Sequence, residues 1–250
     1  MNELLGKTAL ITGSLRGIGK GIALTLAEKG ADIILNDLAE NDTLWEMVEQ
    51  IKAFGRKVYF KAADVSSKKD VEALFSFIKK DISKLDILVN NAGTSQAKDI
   101  FDISLEDWEL ILNTNLTSCF LCAKYAMEMM KVQGRGRIIN ISSVVAQQGA
   151  LYGHAHYAAS KSAIFGLTKT LARTGAVFGI RVNCIAPGII ETDLLNQTHG
   201  IDGVAKIAES VPLGIGQPRD IGLAAAFLAG EGGDYITGTT IDINGGLYFR

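Results

Sequence analysis

The 250-residue sequence predicts an α/β protein, a doubly wound, seven-stranded parallel sheet with helices on both faces, in a single domain. Short apolar runs recur along the chain, stretches with helical apolar spacing separate them, and a glycine-rich turn joins the first run to the first helical stretch. The runs read as strands over Thr8–Thr12, Asp32–Asn36, Lys57–Ala62, Ile87–Asn90, Arg137–Ile141, Arg181–Ala186 and Thr239–Ile243. They are continuously apolar rather than alternating, which marks strands covered on both faces. Between them, helices are expected over Gly17–Lys29, Thr43–Phe54, Lys68–Ile82, Trp108–Met130, Tyr157–Phe178 and Pro218–Leu228. Right-handed crossovers then wind the helices onto both sides of one sheet. No linker, charge block or repeat divides the chain, so residues 1–250 read as one unit.

Composition narrows the class. At 48% hydrophobic the chain can bury one large core, and 27 glycines against 3 prolines suit many tight turns. A net charge of −2 gives no electrostatic reason to expect nucleic acid. No stretch approaches the length of apolar chain that a membrane helix requires, and Met1-Asn2-Glu3-Leu4-Leu5-Gly6-Lys7 is too short and wrongly flanked for a signal peptide. A soluble, cytoplasmic protein with no membrane partner is expected. Cys119, Cys122 and Cys184 are an odd trio, and Cys119-Phe120-Leu121-Cys122 falls inside an apolar helix, so buried thiols are expected rather than a redox or metal pair.

Three groups of residues carry chemistry. Gly13, Gly17 and Gly19 fall where the first strand turns into the first helix, and glycines there let a backbone approach a pyrophosphate at a helix N-terminus. Asp37 ends the second strand, where a carboxylate can accept bonds from ribose hydroxyls and repel a 2′-phosphate. Arg16, within the turn, could greet that phosphate instead. The carboxylate weighs more, because an unpaired charge facing a dianion is costly to bury. Tyr157 and Lys161 stand four apart on one helix face, and an ammonium beside a phenol favours the phenolate. Ser142 and Ser143 precede them. His154 and His156 form an H-x-H with no acidic neighbours, a poor metal site. One of them is a candidate to line a substrate pocket, as are Gln147, Gln148 and Tyr152.

Taken together these residues resemble the short-chain dehydrogenase/reductase family, over the whole chain. Thr12-Gly13-Ser14-Leu15-Arg16-Gly17-Ile18-Gly19 looks like its cofactor turn, Asp64-Val65 like its adenine contact, and Asn90-Asn91-Ala92-Gly93 like the motif after its fourth strand. Asn115 matches the helix asparagine, Ser143 the catalytic serine, and Pro187-Gly188 with Ile190 and Thr192 the nicotinamide-side loop. The resemblance implies hydride transfer between NAD, with NADP the alternative, and a small-molecule secondary alcohol or ketone. Tyr157 would move the proton, Lys161 would tune it and bond the nicotinamide ribose, Ser143 would bond the substrate oxygen, and Asn115 would hold a relay water. Ser143 is preferred to Ser142 because adjacent strand residues face opposite ways and its distance from Tyr157 suits the family.

The resemblance is strongest to the branch of 3-oxoacyl-carrier-protein reductases and sugar or polyol dehydrogenases. Carrier-protein docking needs cations, and Phe178 stands where such reductases often carry one, although Arg135 and Arg137 remain nearby. A polyol, sugar acid or hydroxy compound is therefore the expected substrate, with 3-oxoacyl-carrier-protein reduction the alternative. A non-catalytic nucleotide sensor, a different class on the same fold, usually lacks the Tyr or the Lys. The segment Glu191–Val211 is expected to form a substrate lid, and the family's pairing of two helices across a two-fold axis implies a homotetramer.

Overall fold

Strand β1 (Thr8–Thr12) lies at the centre of the sheet, with β2 (Asp32–Asp37) on one side and β4 (Ile87–Asn90) on the other. The computed structural model describes residues 3–150, 153–192, 195, 203–206 and 208–249. Among these residues the remaining strands are β3 (Val58–Ala62), β5 (Gly136–Ile141), β6 (Ile180–Pro187) and β7 (Thr240–Ile243), and every ladder is parallel, in the order β3-β2-β1-β4-β5-β6-β7. The chain order reverses between β1 and β4. In open α/β sheets that reversal opens a crevice at the carboxyl ends of the strands, where ligands bind.

The continuous apolar runs are explained by which face each residue meets. Ala9 and Ile11, Ile33 and Leu35, and Ile87 and Val89 enter one core. Leu10, Ile34 and Leu88, the residues between them, enter the other. Both faces are covered, so neither parity can be polar. Leu10→Ala would remove a fully buried side chain and cost about 2–5 kcal/mol.

Helices α1 (Gly17–Glu28), α2 (Asp42–Ala53), α3 (Lys68–Phe77), α4 (Leu105–Leu112), α5 (Ser118–Gln133), a short α6 (Val145–Gln148), α7 (Ala155–Ala176) and α8 (Pro218–Ala229) cover the sheet. The starts of α2, α3 and α4 follow side-chain capping. Asn41 caps α2, Ser67 caps α3, and Ser104 with Asp107 closes a capping box on α4. That box sets the fourth helix three residues ahead of the expected Trp108. The expected single helices over Lys68–Ile82 and Trp108–Met130 each contain a π-helical stretch, Ile78–Ile82 and Asn113–Thr117. Apolar spacing is too coarse a signal to reveal one added residue in a turn. Helix α6 follows β5 directly and is too short to have shown a period.

Candidate active site

Helix α1 differs from its capped neighbours. Its N-cap, Arg16, is extended and lends no side-chain hydrogen bond, so the first amides of a twelve-residue helix point outward unpaired by a cap. Gly13 takes φ +62°, and a Cβ there would stand 2.9 Å from the Ala92 Cα. At Gly19 the Cβ would stand 2.1 Å from the Gly13 carbonyl oxygen. The glycines are thus required by close backbone approach between the turn after β1 and the segment after β4, at the reversal of chain order. Over Gly17 lies the methyl of Thr192, 3.2 Å from where a Cβ would be, which brings the loop after β6 onto the turn. A bare, positively polarised helix end walled by backbone fits a dinucleotide pyrophosphate.

The residues expected around that cradle sort into exposed and bracing positions. Asp37 ends β2, and its carboxylate accepts from the Leu15 amide at 3.1 Å and the Leu38 amide at 3.0 Å. Arg16 is exposed and makes no ion pair among the described residues. Ser14 is fully buried, its hydroxyl donating to the Asn36 carbonyl and accepting from the Asn36 amide. Ile18 is half-buried, Asp64 is exposed, and Val65 is buried in the core beneath it. Asn91 donates to the Thr12 and Gly13 carbonyls at 2.9 and 2.8 Å. Pro187 closes β6, its carbonyl accepting from the Val144 amide, and the Gly188 amide donates to Ile243. Ile190 is buried and bridges to Gly216.

A second group assembles beside the first. Lys161, 5% exposed on α7, donates from Nζ to the Ile141 carbonyl at 2.9 Å, and its Nζ lies 5.8 Å from the Tyr157 ring centroid. Gly93 abuts it: a Cβ there would be 3.4 Å from Lys161 Nζ and 3.1 Å from Asn115 Oδ1. Ser142 and Ser143 differ in their hydrogen-bond partners. The Ser142 hydroxyl donates to the Lys161 carbonyl at 2.7 Å, whereas among the described residues Ser143 Oγ accepts only from the Val145 amide at 3.2 Å. Asn115 is fully buried in the π-helical stretch. Its amide donates to the Thr94 carbonyl and to Ser160 Oγ, and its Oδ1 accepts from the Thr94 amide. That side chain is a clamp. The Asn115 backbone carbonyl accepts from Cys119 Sγ at 3.2 Å, and π turns are frequent at functional sites.

Partners absent from the sequence reading now stand out. Thr12 Oγ1 accepts from the amides of Asn91 and Ala92 and so fastens the two walls together. Ser160 donates to the Tyr157 carbonyl and links Tyr157 to Asn115. Ser160 lies between Tyr157 and Lys161, and that position was its one visible signal. His154 and His156 reach the loop after β4, through Ser95 Oγ at 3.1 Å and Gln96 Oε1 at 3.3 Å respectively. Burial, then the neighbouring His154, pushes the His156 imidazole below its ordinary pKa. Gln147 reaches Asp242, and Tyr152 lies outside the described residues. Cys119, Cys122 and Cys184 are buried free thiols, and burial raises the pKa of Cys184 to about 12. Among the described residues no group of three metal-ligating side chains occurs and no helix is long and apolar enough to cross a membrane.

A doubly wound sheet with this cradle at its reversal point, and a Tyr–Lys pair beside it, defines a dinucleotide-dependent oxidoreductase. Residues 13–248 match the model of a family described as enoyl-(acyl carrier protein) reductase. A 3-oxoacyl-[acyl-carrier-protein] reductase of Vibrio cholerae is 41% identical over 98% of this chain and 99% of its own. A short-chain dehydrogenase/reductase of Armillaria gallica is 40% identical over 98% and 97%. The crystal structure of a short-chain type dehydrogenase/reductase from Mycobacterium marinum superposes with a TM-score of 0.93 at 34% identity, covering 100% of this chain and 98% of that one. The chain belongs to the short-chain dehydrogenase/reductase family, whose members use nicotinamide cofactors.

Proposed function

We propose that the chain interconverts a small secondary alcohol and its ketone, with Tyr157 as the proton-transfer residue. The observation that carries this is the placement of Lys161: buried, fixed on the Ile141 carbonyl, and 5.8 Å from the Tyr157 ring. When bound, the nicotinamide supplies the hydride exchange. In oxidation the Tyr157 hydroxyl takes the proton from the substrate oxygen, and in reduction it returns it. The Lys161 cation favours negative charge on the phenol oxygen during that transfer. Ser143, the hydroxyl not committed to α7, donates to the substrate oxygen as charge develops. Asn115 clamps Thr94 and Ser160, and its backbone carbonyl is the atom we assign to the expected relay water. Gly13, Gly17, Gly19 and Gly93 line the pyrophosphate and nicotinamide path, with Ser14 as a brace.

NAD is the preferred cofactor in this reading. The Asp37 carboxylate is pinned to the turn by the Leu15 amide, where it would accept from ribose hydroxyls and oppose a 2′-phosphate, and exposed Arg16 leaves residual NADP use. For the substrate, the end of α7 argues against carrier docking. Val177 is 81% exposed, Val132 is 89% exposed, and Lys131 Nζ sits over the Phe178 ring at 4.6 Å. An acidic carrier needs several free cations there, and the last turn of α7 offers Arg173. The second reading, 3-oxoacyl-carrier-protein reduction, is favoured by the names of relatives from Vibrio cholerae and Haemophilus influenzae, the latter 42% identical.

The whole chain serves as one cytoplasmic catalytic domain in this proposal, with residues 191–211 as its lid, although 193–194, 196–202 and 207 lie outside the described residues. Assembly into a homotetramer is supported by exposed apolar side chains, Phe101, Trp108, Leu110 and Phe120 around α4 and α5, and Leu223 and Phe227 on α8. The test is kinetic. Tyr157→Phe should keep cofactor binding yet lower turnover about 10²–10⁴-fold. Assays with NAD and NADP over polyols, hydroxy acids, steroids and acyl thioesters identify the substrate. Unchanged kcat in the Phe variant would remove Tyr157 from the chemistry, and preference for acyl thioesters would select the second reading.

A further inference from the structure

His154 occupies a backbone conformation that demands an explanation. It precedes α7 with φ 60° and ψ 26°, in the left-handed region, where residues other than glycine are uncommon. Gly153 before it is also left-handed, at φ +58°, and a Cβ there would meet the Lys98 carbonyl oxygen at 2.6 Å. The His154 amide donates to that same carbonyl at 3.0 Å. The loop after β4 therefore sets this conformation, and the conformation sets where the ring goes.

The two histidines take different places. His156 is fully buried against Gln96 and serves the packing of the loop. His154 is only partly buried, and its ring stands edge-to-face against Tyr157, centroids 6.3 Å apart at 66°. Its Nδ1 shares a hydrogen bond with Ser95 Oγ, which fixes the ring's rotation. Its Nε2 has no hydrogen-bond partner among the described residues, and neither has the Tyr157 hydroxyl. Two uncommitted polar atoms thus belong to rings in direct contact, one of them on the residue assigned to proton transfer.

We propose that His154, held by Ser95, forms a subsite for a second oxygen of the substrate, on the carbon next to the one that reacts. The preferred substrates are then vicinal diols and the corresponding α-hydroxyketones. This rests on the reading of Tyr157 given above. A substrate oxygen on Tyr157 and Ser143 brings the neighbouring carbon's substituent toward the ring that touches Tyr157. A side chain in that contact cannot read the remote end of a long acyl chain. A polar group left unmatched beside the reacting centre also discriminates against the analogue that lacks the second hydroxyl. Imidazole suits the task because either tautomer can use Nδ1 on Ser95 and offer Nε2 as the complementary donor or acceptor.

The test compares kcat/KM for 2,3-butanediol and 2-butanol, with acetoacetyl-coenzyme A as a third substrate. The unmodified enzyme should favour the diol. His154→Gly, which removes the ring at a position where glycine is unstrained, should lower the diol-to-monoalcohol ratio about tenfold. His154→Asn tolerates the left-handed conformation and keeps a polar side chain, so it should recover part of the ratio. Ser95→Ala should cause a smaller fall in the same direction. A ratio unmoved in His154→Gly, a preference for 2-butanol, or turnover of the thioester with neither alcohol used would each overturn the subsite. Those results leave Tyr157 untouched. Full turnover in Tyr157→Phe would instead overturn the reading on which the subsite rests.

Discussion

The two ends of the sheet treat polar groups in opposite ways. At the amino-terminal ends of the strands, a cleft of about 260 Å³ is lined by Lys7, Asp86, Arg135, Arg137, Arg181 and Asp234 among others. Several of its charges are matched within the chain, although Asp86 Oδ1 and Arg137 Nε are buried without a hydrogen-bond partner among the described residues. Asp86 accepts from the Thr8 amide at 2.9 Å and pairs with Lys84 and Arg135, while Arg137 pairs with Asp234, whose backbone carbonyl takes the Arg181 guanidinium. At the carboxyl ends, by contrast, the α1 amides lack a side-chain cap, and the Tyr157 hydroxyl and His154 Nε2 take no bond among the described residues. The carboxylates of Asp86 and Asp234 each find a cation at the strand starts. Groups left open at the reversal of chain order are available to something else.

That contrast can be broken by substitution at either end, and the largest effect belongs at the open one. Gly19→Ala places a Cβ 2.1 Å from the Gly13 carbonyl oxygen, a contact no side-chain rotation relieves. Titration with NAD should show binding abolished, and a variant that binds normally would mean the turn is not the cradle. At the closed end, Asp86→Ala strands the Thr8 amide and two cations. It should cost about 1–3 kcal/mol in denaturant unfolding while the folded fraction keeps its kcat. Loss of kcat without loss of stability would erase the distinction between the two ends.

Asp37→Ser sharpens the open end. It should raise kcat/KM with NADP and lower it with NAD, and an unchanged ratio would transfer the decision to Arg16. The smallest effect is that of pH on His156. Burial depresses its folded pKa below the ordinary value, so between those two values the unfolded chain binds a proton that the native chain does not. Stability should therefore fall as pH drops through the ordinary imidazole range and level off below the folded value. His156→Asn should flatten that part of the melting-temperature profile, and a slope unaltered in the variant would assign it to other groups.

Much of this molecule is written in local pattern. The run Thr8–Thr12 and the run Ile87–Asn90 appear as strands with the expected bounds, because a strand covered on both faces needs apolar residues at every position. Gly13, Gly17, Gly19, Tyr157 and Lys161 were legible because a glycine turn and an i, i+4 pair are short-range signals. Other features depended on residues far apart in the chain. The Ser104 capping box and the π turn around Asn115 shifted the expected helix, since a cap or one inserted residue outweighs apolar spacing. Ser143 was preferred to Ser142 from sequence, but the bond that occupies the Ser142 hydroxyl goes to the Lys161 carbonyl, nineteen residues away. The clamp of Asn115 on Thr94 and Ser160, the seat of Thr192 over Gly17, and the turn of His154 toward Tyr157 came from the tertiary structure alone. Sequence by itself determined the strands and the winding and singled out candidate side chains, because burial and periodicity act over a few residues. Which of those side chains are occupied and which stay free was decided only by tertiary packing, because a hydrogen bond goes to whichever partner the fold brings within reach.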